Sequence, residues 1–278
     1  MAALFGFVQL EFPWALGPPD GRYVLRGHAG AAEHVLVTTT LGAPQRRLLG
    51  GRRPHSAGTE PVPVSTARAT VVAASPFDDE RAAANWLGQA GEHEIDDALT
   101  VLNRVLHLQR TAASDASVRE VARAQALVAR VGYGEGEQVA HGRWTEAVTH
   151  PAPRGGHVRR SEALRPQERL AALLGGRDAP LAAEELALRA RADLDAGRRR
   201  EAALQLRIAL EAALAELEPW REQLGTRLAE LRDARAAVGD AANAALQGGL
   251  GDDVAAEITR VLDRLESALR ARAALGLD

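Results

Sequence analysis

Hydrophobic and polar positions follow one rhythm up to about residue 75 and another after it. Leu4, Val8, Leu10 and Phe12 alternate with Phe5, Phe7, Gln9 and Glu11, which gives one almost wholly apolar face and one mixed face. A period of two marks a β-strand. Arg22 to Arg26 is a shorter strand with an apolar centre, between turn clusters at 17–21 and 27–32. Glu33 to Thr40 is rich in β-branched residues, which suit a pleated, half-buried surface. Thr66 to Ala74 is a fourth strand. Short turns between sequential strands predict an antiparallel meander. Between the third and fourth strands, residues 44–63 carry prolines at 44, 54, 61 and 63, so this stretch is expected to be an exposed, mobile loop.

Helical spacing takes over next. Ser75, Pro76 and Asp78 form a start signal: a cap, a proline suited to the first helical position, and negative charge for the dipole. Over 94–110, Ile95, Leu99, Leu102 and Leu106 make one apolar stripe, widened by Ala98, Val101 and Val105. Ser117 and Glu120 have capping-box spacing and predict a third helix over 118–131, ended by the glycines at 132–136. A short helix is expected at 137–149. Further helices are expected near 165–175, 180–196, 199–218, 220–238 and 252–275. In the last one, Val254, Ile258, Val261, Leu265 and Ala268 sustain a coiled-coil-like seam for about two heptads.

The segment HPAPRGGHVRR at 150–160 has two prolines, two glycines and no apolar period, so it reads as a linker. Three regions follow: an α+β domain over 1–149 with strands to about 75 and helices after, the linker at 150–160, and a helical bundle over 161–278. Gly197, Ala202, Leu206, Ala209 and Leu210 resemble the turn glycine and second-helix positions of one tetratricopeptide repeat. No copy follows one repeat-length later, where Leu231 stands, so the segment implies a helix–turn–helix pair and no solenoid.

Composition removes whole chemistries. All 34 basic residues are arginine, and cysteine is absent. There is no amine for a Schiff base or a pyridoxal-phosphate anchor, and no lysine for a Walker A loop. Thiol nucleophiles, disulfides and thiolate metal sites are excluded as well. The net charge of −3 argues against general polyanion binding. Basic excess sits at the N-terminal end, where residues 1–75 hold seven Arg against four acidic residues. The opening apolar run has no basic residue before it and meets Glu11 early, unlike a signal peptide. No stretch approaches the ~20 apolar residues of a membrane span, and a cytoplasmic protein without membrane partners is expected.

Four sets of residues are candidates for chemistry. His93, Asp96 and Asp97 could share a hard metal ion on one helical turn, with Glu135, Glu137 and His141 as a second half-site. The Glu-x-x-His pairs of di-iron bundles are missing, and acidic residues are common at helix starts for dipole reasons, so no metal is expected. Gly132, Gly134 and Gly136 resemble a phosphate loop, yet Glu135 and Glu137 would repel an anion. A hinge or ligand loop with Tyr133, His141 and Trp144 is the other reading of that segment. Arg46, Arg47, Arg52, Arg53, Arg159 and Arg160, with Arg154, could bind phosphate, but the interleaved aromatics of nucleic-acid binders are lacking. Val254, Ile258, Val261 and Leu265 are candidates for an interface.

The sequence thus predicts an α+β fold: a small N-terminal antiparallel β-meander packed on helices, then an all-α helical bundle. Its expected role is non-catalytic interaction or scaffolding through helical surfaces, with a protein partner or a homo-oligomer and no cofactor. Two alternatives stand beside it. One is a small-molecule- or metal-binding domain or enzyme with a site near residues 92–144. The other is arginine-mediated nucleic-acid binding.

Overall fold

In a computed structural model, residues 2–27, 29–42, 65–151 and 160–275 are described, the side chains of 160–165 excepted. The chain groups into two compact units, residues 1–154 and 155–278. The fold is α+β: the first unit holds an antiparallel sheet and the second is helical.

The first unit contains β1 (Leu4–Phe12), β2 (Gly21–Arg26), β3 (Ala32–Leu41), β4 (Thr66–Ala73), β5 (Val128–Glu135) and β6 (Glu146–His150). Their order is β2-β3-β4-β1-β5-β6, with every pair antiparallel. Only β2 to β4 form a meander. β1 lies in the middle, with Val8 opposite Val71 on one side and Val131 on the other. Two helices follow β4, α1 (Glu80–Gln89) and α2 (Glu92–Ala113). The α2 stripe of Ile95, Leu99, Leu102 and Leu106 is buried against Val8, Leu10, Phe12, Leu36 and Val71. Phe7, Val35, Val37 and Val72 form a second cluster, closed by Val139 and Ala140 of a 3₁₀ segment at 136–141.

Several sequence expectations need correction here. α1 starts at Glu80, because Asp79 and not Ser75 is the cap: its Oδ1 accepts from Ala82 N at 2.7 Å. The helix expected over 118–131 does not form. Asn103 on α2 holds that backbone extended, donating to Val121 O at 2.9 Å and accepting from Val121 N at 2.8 Å. Ser117 turns its hydroxyl to Asp115 at 2.6 Å, so it caps nothing. The expected helix at 137–149 is replaced by the 3₁₀ segment and β6. Strands therefore extend well past residue 75. The loop at 44–63 lies outside the described residues.

The second unit contains α3 (Arg160–Leu174), α4 (Ala182–Asp195), α5 (Arg199–Glu216), α6 (Arg221–Asp233), α7 (Arg235–Gln247) and α8 (Asp252–Leu275). Gly197 turns α4 into α5 at φ +72°, a conformation that side chains with a Cβ resist. The helix expected over 220–238 is two helices that meet at Ala234. α6 packs on α8 and α7 on α5, and no glycine or proline stands at the break, so tertiary contact sets it. One core unites the bundle, built mostly of alanine and leucine. Among the described residues, no helix is long and apolar enough to cross a membrane.

Candidate functional site

The candidates read from the sequence are not gathered into one site. His93 and Asp97 stand one turn apart on α2, with Nδ1 3.5 Å from Oδ2, and both are exposed. Glu137 instead pairs with Arg22 of β2. Among the described residues, no group of three histidine, aspartate or glutamate side chains is placed to hold a metal ion. Tyr133 points into the helix-covered core, and its hydroxyl donates to Glu146 Oε2 at 3.3 Å. Burial raises the Tyr133 pKa, and the nearby Glu146 carboxylate adds to the effect. Trp144 belongs to the other face, where it stacks on Phe7 with ring centroids 5.8 Å apart and carries Arg130 4.9 Å from its own centroid. His141 is exposed at the end of the 3₁₀ segment.

The glycines at 132 and 134 serve packing. They lie inside β5, where a Cβ on Gly132 would come within 2.5 Å of Glu146 O and 2.8 Å of Phe7 Cζ. One on Gly134 would come within 2.8 Å of Val139 Cγ1 and 2.9 Å of Trp144 Cα. Close approach of the 3₁₀ segment and β6 requires them. Beside them runs a polar row across three strands: Arg130 Nη1 donates to Gln9 Oε1 at 2.6 Å, and Gln9 Nε2 donates to Thr70 Oγ1 at 3.1 Å. Gln9 and Thr70 are fully buried and satisfy one another.

Arg46, Arg47, Arg52, Arg53 and Arg159 lie outside the described residues, and Arg160 begins α3 with its side chain undescribed. The stripe offered as an interface is used inside the chain. Ile258, Val261 and Leu265 are buried in the bundle core, and Val254 packs at its edge.

The helical unit carries a different feature, a groove of about 850 Å³ between α3, α4 and α8. Pro166, Leu170 and Leu173 form its α3 wall, Ala187 and Leu188 come from α4, and Leu269, Ala273 and Ala274 close it from α8. Helical periodicity explains the shape. Ala183, Ala187 and Ala190 of α4 are small, and they bring that helix close to its neighbours, while Leu188 turns outward. Leu170 is 55% exposed, Leu188 66%, and Leu174, one turn beyond Leu170, 80%.

Charged residues fix the walls. Asp178, in the connection between α3 and α4, lies 2.7 Å from Arg272 of α8 and 3.5 Å from Arg169 of α3. Arg169 also donates to Glu184 of α4 at 2.5 Å. Arg272 stacks on Trp220 with its guanidinium carbon 4.7 Å from the ring centroid. Burial alone would raise the Asp178 pKa. The hydrogen bond and charge of Arg272, with help from Ala179 N and Arg169, outweigh it and hold the carboxyl below its ordinary range. On the α8 side, Arg191 donates to Glu266 at 2.8 Å and pairs with Asp263; these carboxylates raise its pKa and keep it charged.

Alternation and heptad patterns point at core, so they do not reveal this groove. Its sequence signal is a short one: Pro166, Leu170 and Leu174 recur every four residues, flanked by Gln167 and Ala171, and leave one exposed face of α3 without charge. The comparisons with known proteins add no name: no family model, no curated protein and no solved structure matches this chain.

Proposed function

We propose that this chain is a non-catalytic interaction protein whose binding surface is the groove between α3, α4 and α8, and that the groove takes the apolar face of a helix. The observation that carries this reading is the exposure of Leu170 and Leu188 on its two lips, together with Leu174. Large apolar side chains exposed singly need no explanation, but side chains gathered around a concavity mark an interaction site. Helix-in-groove recognition reads anchors one turn apart, and it needs walls that hold their shape. The Arg169–Asp178–Arg272 network ties α3, the α3–α4 connection and α8 to one another.

The test uses the whole chain and a fluorescent synthetic helix bearing leucines at successive turns and uncharged flanks. It should bind saturably, and Leu188→Arg should remove the binding while the far-ultraviolet circular dichroism keeps the native helical signal. No saturable binding to the native chain would overturn the reading.

A further inference from the structure

We infer that the occupant of this groove is the α3 ridge of a second copy of the chain, in a two-fold contact where each copy fills the groove of the other. This rests on the groove being a helix-docking site, and it adds the identity of the helix.

Four residues lining the groove are charged: Arg169, Glu184, Glu266 and Arg270. Two are positive and two negative, and each already has a partner. Arg169 holds Glu184, Glu266 holds Arg191, and Arg270 lies 3.6 Å from Glu266. A charged partner would gain nothing from such a rim and would lose hydration on approaching it. The groove selects a neutral, apolar ridge.

The chain itself presents such a ridge at the same place. Pro166, Leu170 and Leu174 run along the exposed face of α3 with no charge among them or beside them at Gln167 and Ala171. Elsewhere in the unit Ile208 and Leu246 are also exposed, but neither lines the groove, and the outer face of α8 carries Glu257, Arg260 and Arg264. Leu170 belongs to both features, since it lines the groove and continues the ridge. A surface that holds a ridge and its matching groove side by side is self-complementary, which is the requirement of an isologous two-fold interface. Leu170 then lies near the axis, and Leu174 of each copy meets Leu188 of the other.

Light scattering and sedimentation of the full chain over a concentration series test this. The native chain should be a concentration-dependent dimer. Leu174→Glu and Leu188→Arg, both at exposed positions, should each raise the dimer dissociation constant by about a hundredfold or more, because a two-fold contact loses each side chain twice. An equimolar mixture of the two variants should dimerise again, since the carboxylate introduced in one copy then faces the guanidinium introduced in the other. Dimers that persist in both variants, or a mixture that stays monomeric, would overturn the inference. A native chain that stays monomeric would overturn it too. In that case a labelled peptide of residues 160–176, added to the native chain, separates the two readings. Saturable binding leaves the groove a helix site with another partner, and no binding removes the groove reading as well.

Discussion

The two units solve the same problem, a buried polar group, with different chemistry. In the sheet unit, the buried polar side chains Gln9, Thr70 and Thr38 are neutral, and each finds a hydrogen-bond partner across strands or in a turn, while the buried guanidinium of Arg123 donates to backbone carbonyls, those of His150 and Pro151. In the helical unit a pair of ions, Arg272 and Asp178, is buried. Core composition differs in parallel. Phe7, Phe12 and Tyr133 are buried in the first unit, whereas Trp220 is the one aromatic residue of the chain beyond residue 154. Aromatic and β-branched side chains fill the space between a sheet and its helices. An alanine–leucine bundle draws its helices together and has little bulk for its ends, and there an arginine on an indole takes the role of filler. The helical unit should therefore depend on a few charges, and the sheet unit on shape.

The largest expected effect breaks the ionic half of this comparison. Arg272→Ala leaves the buried Asp178 carboxylate with the Ala179 N–H and, as its remaining cation, the more distant Arg169, and it removes the stack on Trp220. Breaking a buried pair costs about 3–5 kcal/mol. The double change Asp178→Leu with Arg272→Met should recover most of this, because Arg169 keeps Glu184 and no charge is orphaned. Urea melts of the native chain and the two variants check it. A double variant as unstable as Arg272→Ala would show that the network is held by more than its charges.

A smaller effect sharpens the shape half. The same substitution, glycine to alanine, should have opposite signs in the two units. Gly132→Ala would press a methyl against Glu146 O and Phe7, and overpacking of this kind costs about 1–3 kcal/mol. Gly225, in the exposed interior of α6, has nothing within 4 Å of an added Cβ. There alanine should stabilise by about 0.5–1 kcal/mol through helix propensity. Thermal melts of both variants measure the difference, and equal signs would contradict the packing role given to the β5 glycines.

That contrast also explains what can be read from the sequence. Elements whose side chains bury one regular face are legible. β1 and β3 announce themselves by alternation and α2 by its leucine stripe, and α8 matches its expected bounds of 252–275. β5 is not legible, because its alternation of Ala129, Val131 and Tyr133 is interleaved with glycines that local rules read as a helix end. Their purpose is visible only once Phe7 and β6 lie against them. The expected helix at 118–131 fails for a related reason: the Asn103 amide, far away in sequence, satisfies both the N–H and the carbonyl of Val121 that helical backbone partners would have satisfied. The α8 stripe is apolar as its spacing predicts, but periodicity does not say whether a stripe faces its own chain or another. The groove is hidden from sequence reasoning because it combines three helices, and only its α3 ridge is local in sequence.

The smallest effect separates the units by pH. Asp178 has a folded pKa held below its ordinary value of about 3.9. The folded state therefore binds its proton less readily than the unfolded chain does. The stability this contributes is complete above the ordinary carboxylate range and is lost as pH falls through the depressed folded value. Tyr133 is the opposite case, with a folded pKa raised by burial above its ordinary value of about 10. Its contribution is complete below that value and is lost as pH rises through the raised one. Acid should loosen the helical unit first, and alkali the sheet unit. Circular dichroism distinguishes them, because most helical residues lie beyond residue 160 while nine of the ten aromatic residues lie before it. In acid the helical signal of the native chain should fall before its near-ultraviolet signal, and Asp178→Asn should flatten that early fall. In alkali the near-ultraviolet signal should change first, and Tyr133→Phe should delay the loss of the remaining aromatic bands. Simultaneous loss of both signals at both extremes, unchanged by either substitution, would mean that these two groups do not set the pH limits of their units.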